Sequence, residues 1–258
     1  MGPGQLYKIL CQTEVSLLEI YSKWKGKERG MKKFLLALFL LPGLFIAQGD
    51  TLAGNIGDPG ATLNKEAWSL TPEFSSMTRE IRDRDGIRYD TESWRLLLKG
   101  SYGITDWLEG FGRLGGAMVK IRGTPFDSNL GIAGGAGLKA TFLDPPSHPL
   151  RYSVGAQFLY LQADDREAKA KWFEYDIWAG VAYKDWKKLI PYGGIVYSRL
   201  DGKMQDFPSK PTLDEFKSPT AMGIFFGVDW KIKEKLHLGI DARLFGENSG
   251  TFSLRYYF

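Results

Sequence analysis

The chain has 258 residues, with 34 Lys and Arg against 30 Asp and Glu, and a single cysteine, Cys11. This near balance of charge supplies no basic footprint for nucleic acid, and one thiol cannot build a disulfide framework. The length suits one sheet-built domain.

Taken in chain order, the first fifth differs from the rest. Residues 1–30 precede a secretory pattern that works only at an N-terminus, so they are read as an extension upstream of the true start, Met31. Lys27-Glu28-Arg29-Gly30 is what a translated purine-rich ribosome-binding site would give. The competing reading is a cytoplasmic helix, since Val15 to Trp24 has weak helical spacing. Residues 31–49 read as a signal peptide. Met31-Lys32-Lys33 is the basic start, Phe34 to Leu41 and Leu44 to Ala47 are apolar, and Ala47-Gln48-Gly49 is the small-x-small cleavage pattern. The apolar run is shorter than the roughly 20 residues of a spanning helix. Removing residues 1–49 leaves 27 basic and 27 acidic residues and no cysteine. The exported chain is therefore neutral and has no thiol chemistry. Residues 50–65 then form a periplasmic N-terminal segment leading into 66–258.

From there the sequence is a series of alternating apolar and polar segments. Ten can be counted: 66–78, 91–103, 108–121, 130–142, 150–162, 172–184, 189–200, 220–232, 236–246 and 250–258. Each is long enough to cross a bilayer as a tilted strand, which takes about 9–11 residues. Side chains alternate faces along a strand, so each segment has one bulky apolar face and one polar or small face. In the eighth, Met222, Ile224, Phe226, Val228, Trp230 and Ile232 oppose Gly223, Phe225, Gly227, Asp229 and Lys231. In the ninth, Leu236, Leu238, Ile240, Ala242 and Leu244 oppose His237, Gly239, Asp241, Arg243 and Phe245. Segments three and seven alternate poorly, and Pro72 interrupts the first, so eight or twelve strands are the competing counts.

The fold expected is all-β, a transmembrane antiparallel up-and-down β-barrel of about ten strands. A soluble barrel would place the apolar face inside. Here the bulky aromatic face suits lipid, and the Gly-rich charged face suits a lumen. Connections alternate between tight (104–106, 144–149, 185–188, 233–235) and longer (81–90, 123–129, 163–170, 201–218), as the two sides of an outer membrane require. Trp68, Trp107, Tyr152, Trp186 and Trp230 fall near the periplasmic ends as an aromatic girdle, together with Phe258. Tyr160, Phe173 and Tyr197 lie towards the other rim.

The chain ends Phe252-Ser-Leu-Arg-Tyr-Tyr-Phe258. This resembles the terminal assembly signal of bacterial outer-membrane β-barrel proteins, carried by Phe252, Leu254, Tyr256 and Phe258. Ser101 to Gly115, with Tyr-Gly-Ile-Thr-Asp between two strands, looks like the first periplasmic hairpin of small porin-like members. The resemblance implies outer-membrane lipid as the surroundings. It also implies barrel-assembly machinery and periplasmic chaperones as partners in biogenesis. It covers residues 66–258 and identifies no subfamily, and such barrels serve many functions.

Motifs for chemistry fare poorly. Gly110-x-Gly112-x-x-Gly115 matches a dinucleotide fingerprint, but that needs a helix to open from it, and here it lies within one strand. Gly131, Ala133, Gly135 and Gly137 share a face and make room for larger lumen side chains opposite. Asp83-Arg84-Asp85-Gly86 begins like a calcium loop, but Ile87, Arg88 and Tyr89 do not continue its oxygen ligands. It is expected to be a solvated hairpin tip. His148 sits in a proline-rich turn. His237 has Asp241 two inward positions away but no nucleophile placed by sequence, and a lumen hydrogen bond is the expected role.

The lumen is expected to carry Arg95, Lys99, Lys139, Arg151, Glu174, Asp176, Asp229, Lys231, Asp241, Arg243 and Arg255, both signs in similar number. Charges away from water must pair. The expectation is a non-enzymatic, structural or surface-exposed barrel without cofactor or metal, its interior salt-bridged and at most slightly permeable. The alternatives are a narrow porin-like channel, a lumen or rim enzyme using His237 and Asp241, and a soluble lipid-binding barrel.

Overall fold

The computed structural model describes residues 59–143, 148–165, 168–186, 188–205, 211–219 and 221–258. The expected extension and signal peptide lie outside these residues.

Ten long antiparallel strands form a closed barrel. They are β1 (Trp68–Asp83), β2 (Arg88–Gly103), β3 (Leu108–Ile121), β4 (Gly131–Leu143), β5 (Leu150–Asp164), β6 (Lys169–Tyr183), β7 (Leu189–Gln205), β9 (Ala221–Lys233), β10 (Leu236–Leu244) and β11 (Asn248–Tyr257). Each pairs with the next around the wall, and β11 pairs back onto β1, so the wall has no free edge. A three-residue strand, β8 (Glu215–Lys217), follows a short 3-10 turn at Pro211–Asp214. It pairs with the tips of both β7 and β1.

Large apolar side chains point outwards along the strands. Leu96, Leu114, Ile132, Ile177 and Met222 are each about 60% exposed or more. A soluble barrel would bury them, since water does not tolerate a contiguous apolar belt of this kind. Pro72 does not break β1. It faces outwards and pairs in register with Leu98 of β2, while the ladder to β11 skips Thr71 and Pro72. The donor that proline lacks therefore falls where no bond is made.

Several expected boundaries are corrected. β1 runs to Asp83, β2 starts at Arg88, β6 starts at Lys169, β7 runs to Gln205 and β11 starts at Asn248. The connection read as 81–90 is thus a tight tip at 84–87, where Asp83 Oδ1 accepts from Asp85 N and Ile87 N at 3.0 and 2.8 Å. Beyond the lipid belt both faces of these strands carry polar groups, so alternation fades, although backbone pairing continues regardless of side chain. The sixteen residues of β1 reach roughly 50 Å at about 3.3 Å per residue, more than a bilayer needs. Phe245 is also corrected. It is exposed in a turn at φ 66°, rather than on the inner face of the ninth segment.

Candidate functional site

The interior is built in three tiers. The end of the barrel carrying Trp68 and Tyr257 is termed the near end, and the end carrying β8 the far end. Nine of the eleven residues expected in the lumen are buried, and Arg151 and Lys231 are half-buried.

The middle tier is a chain of polar contacts. Glu73 of β1 takes Lys99 Nζ at 2.9 Å and Arg113 Nε at 3.0 Å. Arg113 Nη1 donates to Gln157 Oε1 at 2.8 Å, and Gln157 Nε2 donates to Asp176 Oδ2 at 2.7 Å. Arg243 joins Asp176 at 3.2 Å to Glu247 at 2.8 Å, and Glu247 takes Arg79 at 3.2 Å. The chain leaves β1 at Glu73 and returns to β1 at Arg79, having crossed β3, β5, β6, β10 and the turn before β11. Beside it, Arg95 grips Glu174 through both nitrogens at 2.7 and 2.5 Å, and Trp172 Nε1 donates to the same carboxylate at 2.9 Å. Seven cations and eight carboxylates are buried among the described residues. This near-equality lets charge be paired inside a low-dielectric space, where an orphan would be costly. The cavity among Arg95, Arg113, Gln157, Glu174, Asp176 and Arg243 is about 20 Å³, room for about one water.

The far tier corrects the expectation of a polar or small inner face throughout. Ile81, Ile121, Phe126, Leu161, Trp172, Leu200, Leu213 and Phe216 form one buried apolar cluster. Leu213 and Phe216 come from the segment around β8, so this strap closes the far end with apolar side chains. Trp172 and Phe216 meet edge to face at 6.1 Å.

The near tier is occupied by residues 59–63, part of the segment 50–65 expected to be periplasmic. Lys139 Nζ donates to Ala61 O at 2.5 Å and pairs with Glu109 at 2.7 Å. Arg151 Nη1 donates to Gly60 O at 2.8 Å, and Ala61 and Leu63 are buried. Above them pack Trp178, Tyr192, Val196 and Phe225. Of the small residues of β4, Gly137 makes room for a lumen side chain, whereas a Cβ on Gly131 or Gly135 would meet the β5 backbone. A Cβ on Gly137 would fall on the Phe111 ring, as one on Gly155 of β5 would fall on Trp178.

His237 pairs with Asp229 rather than Asp241, Nδ1 to Oδ2 at 2.7 Å, and meets Tyr257 edge to face at 4.9 Å. Antiparallel pairing sets Asp229 opposite Gly239, one inward position along, whereas Asp241 sits four residues along the same strand. Asp241 and Arg255 are buried and make contacts of their own. Gly110, Gly112 and Gly115 lie inside β3 with no helix following. His148 is exposed in its turn and accepts from Leu150 N at 3.2 Å. No group of three or more metal-ligating side chains occurs among the described residues.

Sequence reasoning missed Glu73, Arg79, Glu109, Arg113, Gln157 and Glu247. Arg79 and Glu247 lay beyond the expected strand ends. Glu73 sat beside Pro72, and the glycines of β3 hid the alternation that carries Glu109 and Arg113. The parity of Ser69, Thr71, Glu73, Ser75, Met77, Arg79 and Ile81, all buried, was the available signal.

On the outside, Trp68, Trp107 and Trp230 are exposed near the near end, with Tyr152 and Trp186 half-buried. Trp68 and Tyr102 approach at 4.6 Å, and Tyr183 and Trp186 at 5.9 Å. Tyr160 and Phe173 meet at 4.9 Å towards the far rim. Phe252, Leu254, Tyr256 and Phe258 are all exposed on the outer face of the closing strand, and Phe258 N donates to Trp68 O at 3.1 Å.

No family model and no curated protein matches this chain. Solved structures similar to it include outer-membrane β-barrels. An outer membrane channel from Pseudomonas putida F1 is 12% identical, with TM-score 0.43, covering 80% of this chain and 100% of that one. The outer membrane protease OmpT from Escherichia coli is 9% identical, with TM-score 0.41, covering 77% and 98%. The translocator domain of the autotransporter NalP from Neisseria meningitidis is 10% identical, with TM-score 0.39, covering 76% and 90%. The likeness is one of barrel architecture alone.

Proposed function

We propose that this protein is a non-enzymatic barrel of the bacterial outer membrane, exported behind residues 31–49, with a closed interior and a structural or surface-exposed role. The near end then faces the periplasm, where the C-terminal strand is delivered to the assembly machinery, and the far end faces outwards.

One observation supports this reading: among the described residues, buried side chains occupy the interior in all three tiers. A salt-bridged middle whose cavity has room for about one water lies between an apolar far plug and a near mouth occupied by residues 59–63. Wide aqueous channels belong to barrels of 16–18 strands. In a ten-stranded wall, inward side chains meet across the axis.

Planar-bilayer recording tests it. The folded protein is expected to give no stepwise conductance, and variants lacking residues 50–66 are expected to stay closed because the middle tier remains. Reproducible steps from the intact protein would favour the narrow channel instead. His237 and Asp229 bear on an enzyme, but a pair without a placed nucleophile supports a structural role. His237→Gln is expected to alter stability and no activity.

A further inference from the structure

On the outer wall at the far rim, a groove of about 810 Å³ is lined by Tyr160, Lys171, Phe173, Arg199, Lys203 and Lys217, with Asp201 and Glu215 among them. Strand register fixes how these residues lie. Tyr160, Phe173, Asp201 and Lys217 form one row across β5, β6, β7 and β8. Gln162, Lys171, Lys203 and Glu215 form the next row, farther from the membrane centre. Tyr175 and Arg199 lie one row nearer the centre, above Ile177 and Tyr197. The floor is aromatic: Phe173 stacks on Tyr175 at 6.3 Å and meets Tyr160 at 4.9 Å. Aromatic side chains at the edge of an apolar belt mark headgroup depth, so the cations rise at the level of lipid phosphates.

The charge arrangement is what sets this rim segment apart. At the rest of the far rim the outward cations meet carboxylates: Arg82 and Arg88 with Glu80, Arg84 with Asp214, Arg122 with Glu92, Lys120 with Asp127, and Lys169 with Asp164. In the groove Arg199 is held by Asp201 and Lys203 by Glu215, whereas Lys171 and Lys217 have no ion-pair partner among the described residues. Lys171 also stands directly opposite Lys203 in the β6–β7 register. Like charges in that position weaken a sheet, so folding alone gives no reason for it. An anion between them would remove the repulsion.

We propose that this groove holds the phosphate-bearing headgroup of an anionic lipid in the outer leaflet. Lys171 and Lys217 supply the free charge, Arg199 and Lys203 the flanking charge, and Phe173 and Tyr160 support the adjoining acyl region. Basic clusters at headgroup depth bind anionic lipids in this way. The inference rests on the outer-membrane reading and adds a ligand to it.

The test uses the full-length exported protein, folded in zwitterionic detergent. Diphosphorylated lipid A and zwitterionic phosphatidylethanolamine are titrated separately, and bound lipid is counted by native mass spectrometry. Lipid A is expected to stay bound, and Lys171→Gln with Lys217→Gln to lower its retention roughly tenfold. Arg122→Gln, at a paired rim position, should leave retention unchanged, and millimolar inorganic phosphate should not displace the lipid. Equal retention by the double variant, equal retention of phosphatidylethanolamine, or full displacement by inorganic phosphate each overturns the proposal. Heat-dependent gel mobility is read on the same samples. Loss of the shift in the unsubstituted protein would instead sink the membrane-barrel reading itself. Should the double variant fail to fold, Lys171→Gln alone, expected to lower retention about threefold to fivefold, takes its place under the same criteria.

Discussion

The Arg95–Glu174 pair distinguishes a dry interior from a wet one. Both side chains are under 10% exposed, and two nitrogens of the guanidinium reach two oxygens of the carboxylate. In a water-filled lumen such a pair would contribute about 1 kcal/mol or less. In a filled interior, Glu174→Leu leaves Arg95 charged without its partner and Trp172 Nε1 without its acceptor. Breaking one side of a buried pair costs about 3–5 kcal/mol, and an orphaned donor adds about 1–3 kcal/mol. The single variant is therefore expected to lose about 4 kcal/mol or more. The double variant Arg95→Met with Glu174→Leu removes both charges and keeps most of the volume. It is expected to recover most of that loss, since apolar replacement of a buried pair is often neutral. Urea unfolding in lipid vesicles, followed by tryptophan fluorescence, measures both. A single variant costing no more than about 1 kcal/mol, with no recovery in the double, would refute the reasoning. Water would then reach the pair, and the channel reading would take over.

Other perturbations probe the remaining tiers. Ile177→Arg, on the lipid-facing side of β6, is expected to cost about 2–4 kcal/mol in the same titration. A smaller penalty would mean that this face meets water. Gly137→Ala would press a Cβ onto the Phe111 ring and to within 2.7 Å of Ala156 O, and overpacking of this kind costs about 1–3 kcal/mol. Phe216→Ala empties a place in the far plug and is expected to cost about 3–5 kcal/mol. Bilayer recordings of that variant should still show a closed barrel, because the middle tier is untouched. Unheated protein is expected to migrate ahead of heated protein on a gel, as a detergent-resistant barrel does; identical mobility would contradict the closed wall.

Period two, turn residues and segment length were enough to place ten strands and to say which face of each is apolar, because lipid demands an apolar residue at every second position. The outward positions of Met222, Ile224, Trp230, Phe252 and Leu254 were legible for that reason. So was the inward placement of Arg95, Glu174, Asp176 and Arg243, since a charge within such an alternation has only one side to face. Strand ends were not legible where the wall rises past the lipid. Around Thr78 to Asp83 the outward residues Thr78, Glu80 and Arg82 are polar and the inward ones mix Arg79 and Asp83 with Ile81, so backbone pairing rather than alternation keeps the chain extended.

Partnership was also beyond the sequence. His237 and Asp241 share a strand and an inner face, yet the residue beside His237 is Asp229 on the neighbouring strand, set by the β9–β10 register. Glu73 and Arg79 lie six residues apart on β1 and become the two ends of one contact chain only because the wall closes through β11. The far plug has the same cause. In Phe158-Leu159-Tyr160-Leu161 both faces are apolar, so no alternation distinguishes lipid from interior, and curvature sends Leu159 and Leu161 inwards to meet Leu200 and Phe216. The sequence by itself determined a membrane-type wall and its two faces, because that information is local and repeats every second residue. Whether the space inside is open or filled was decided by the tertiary structure, because it depends on which side chains meet across the axis once the first strand pairs with the last.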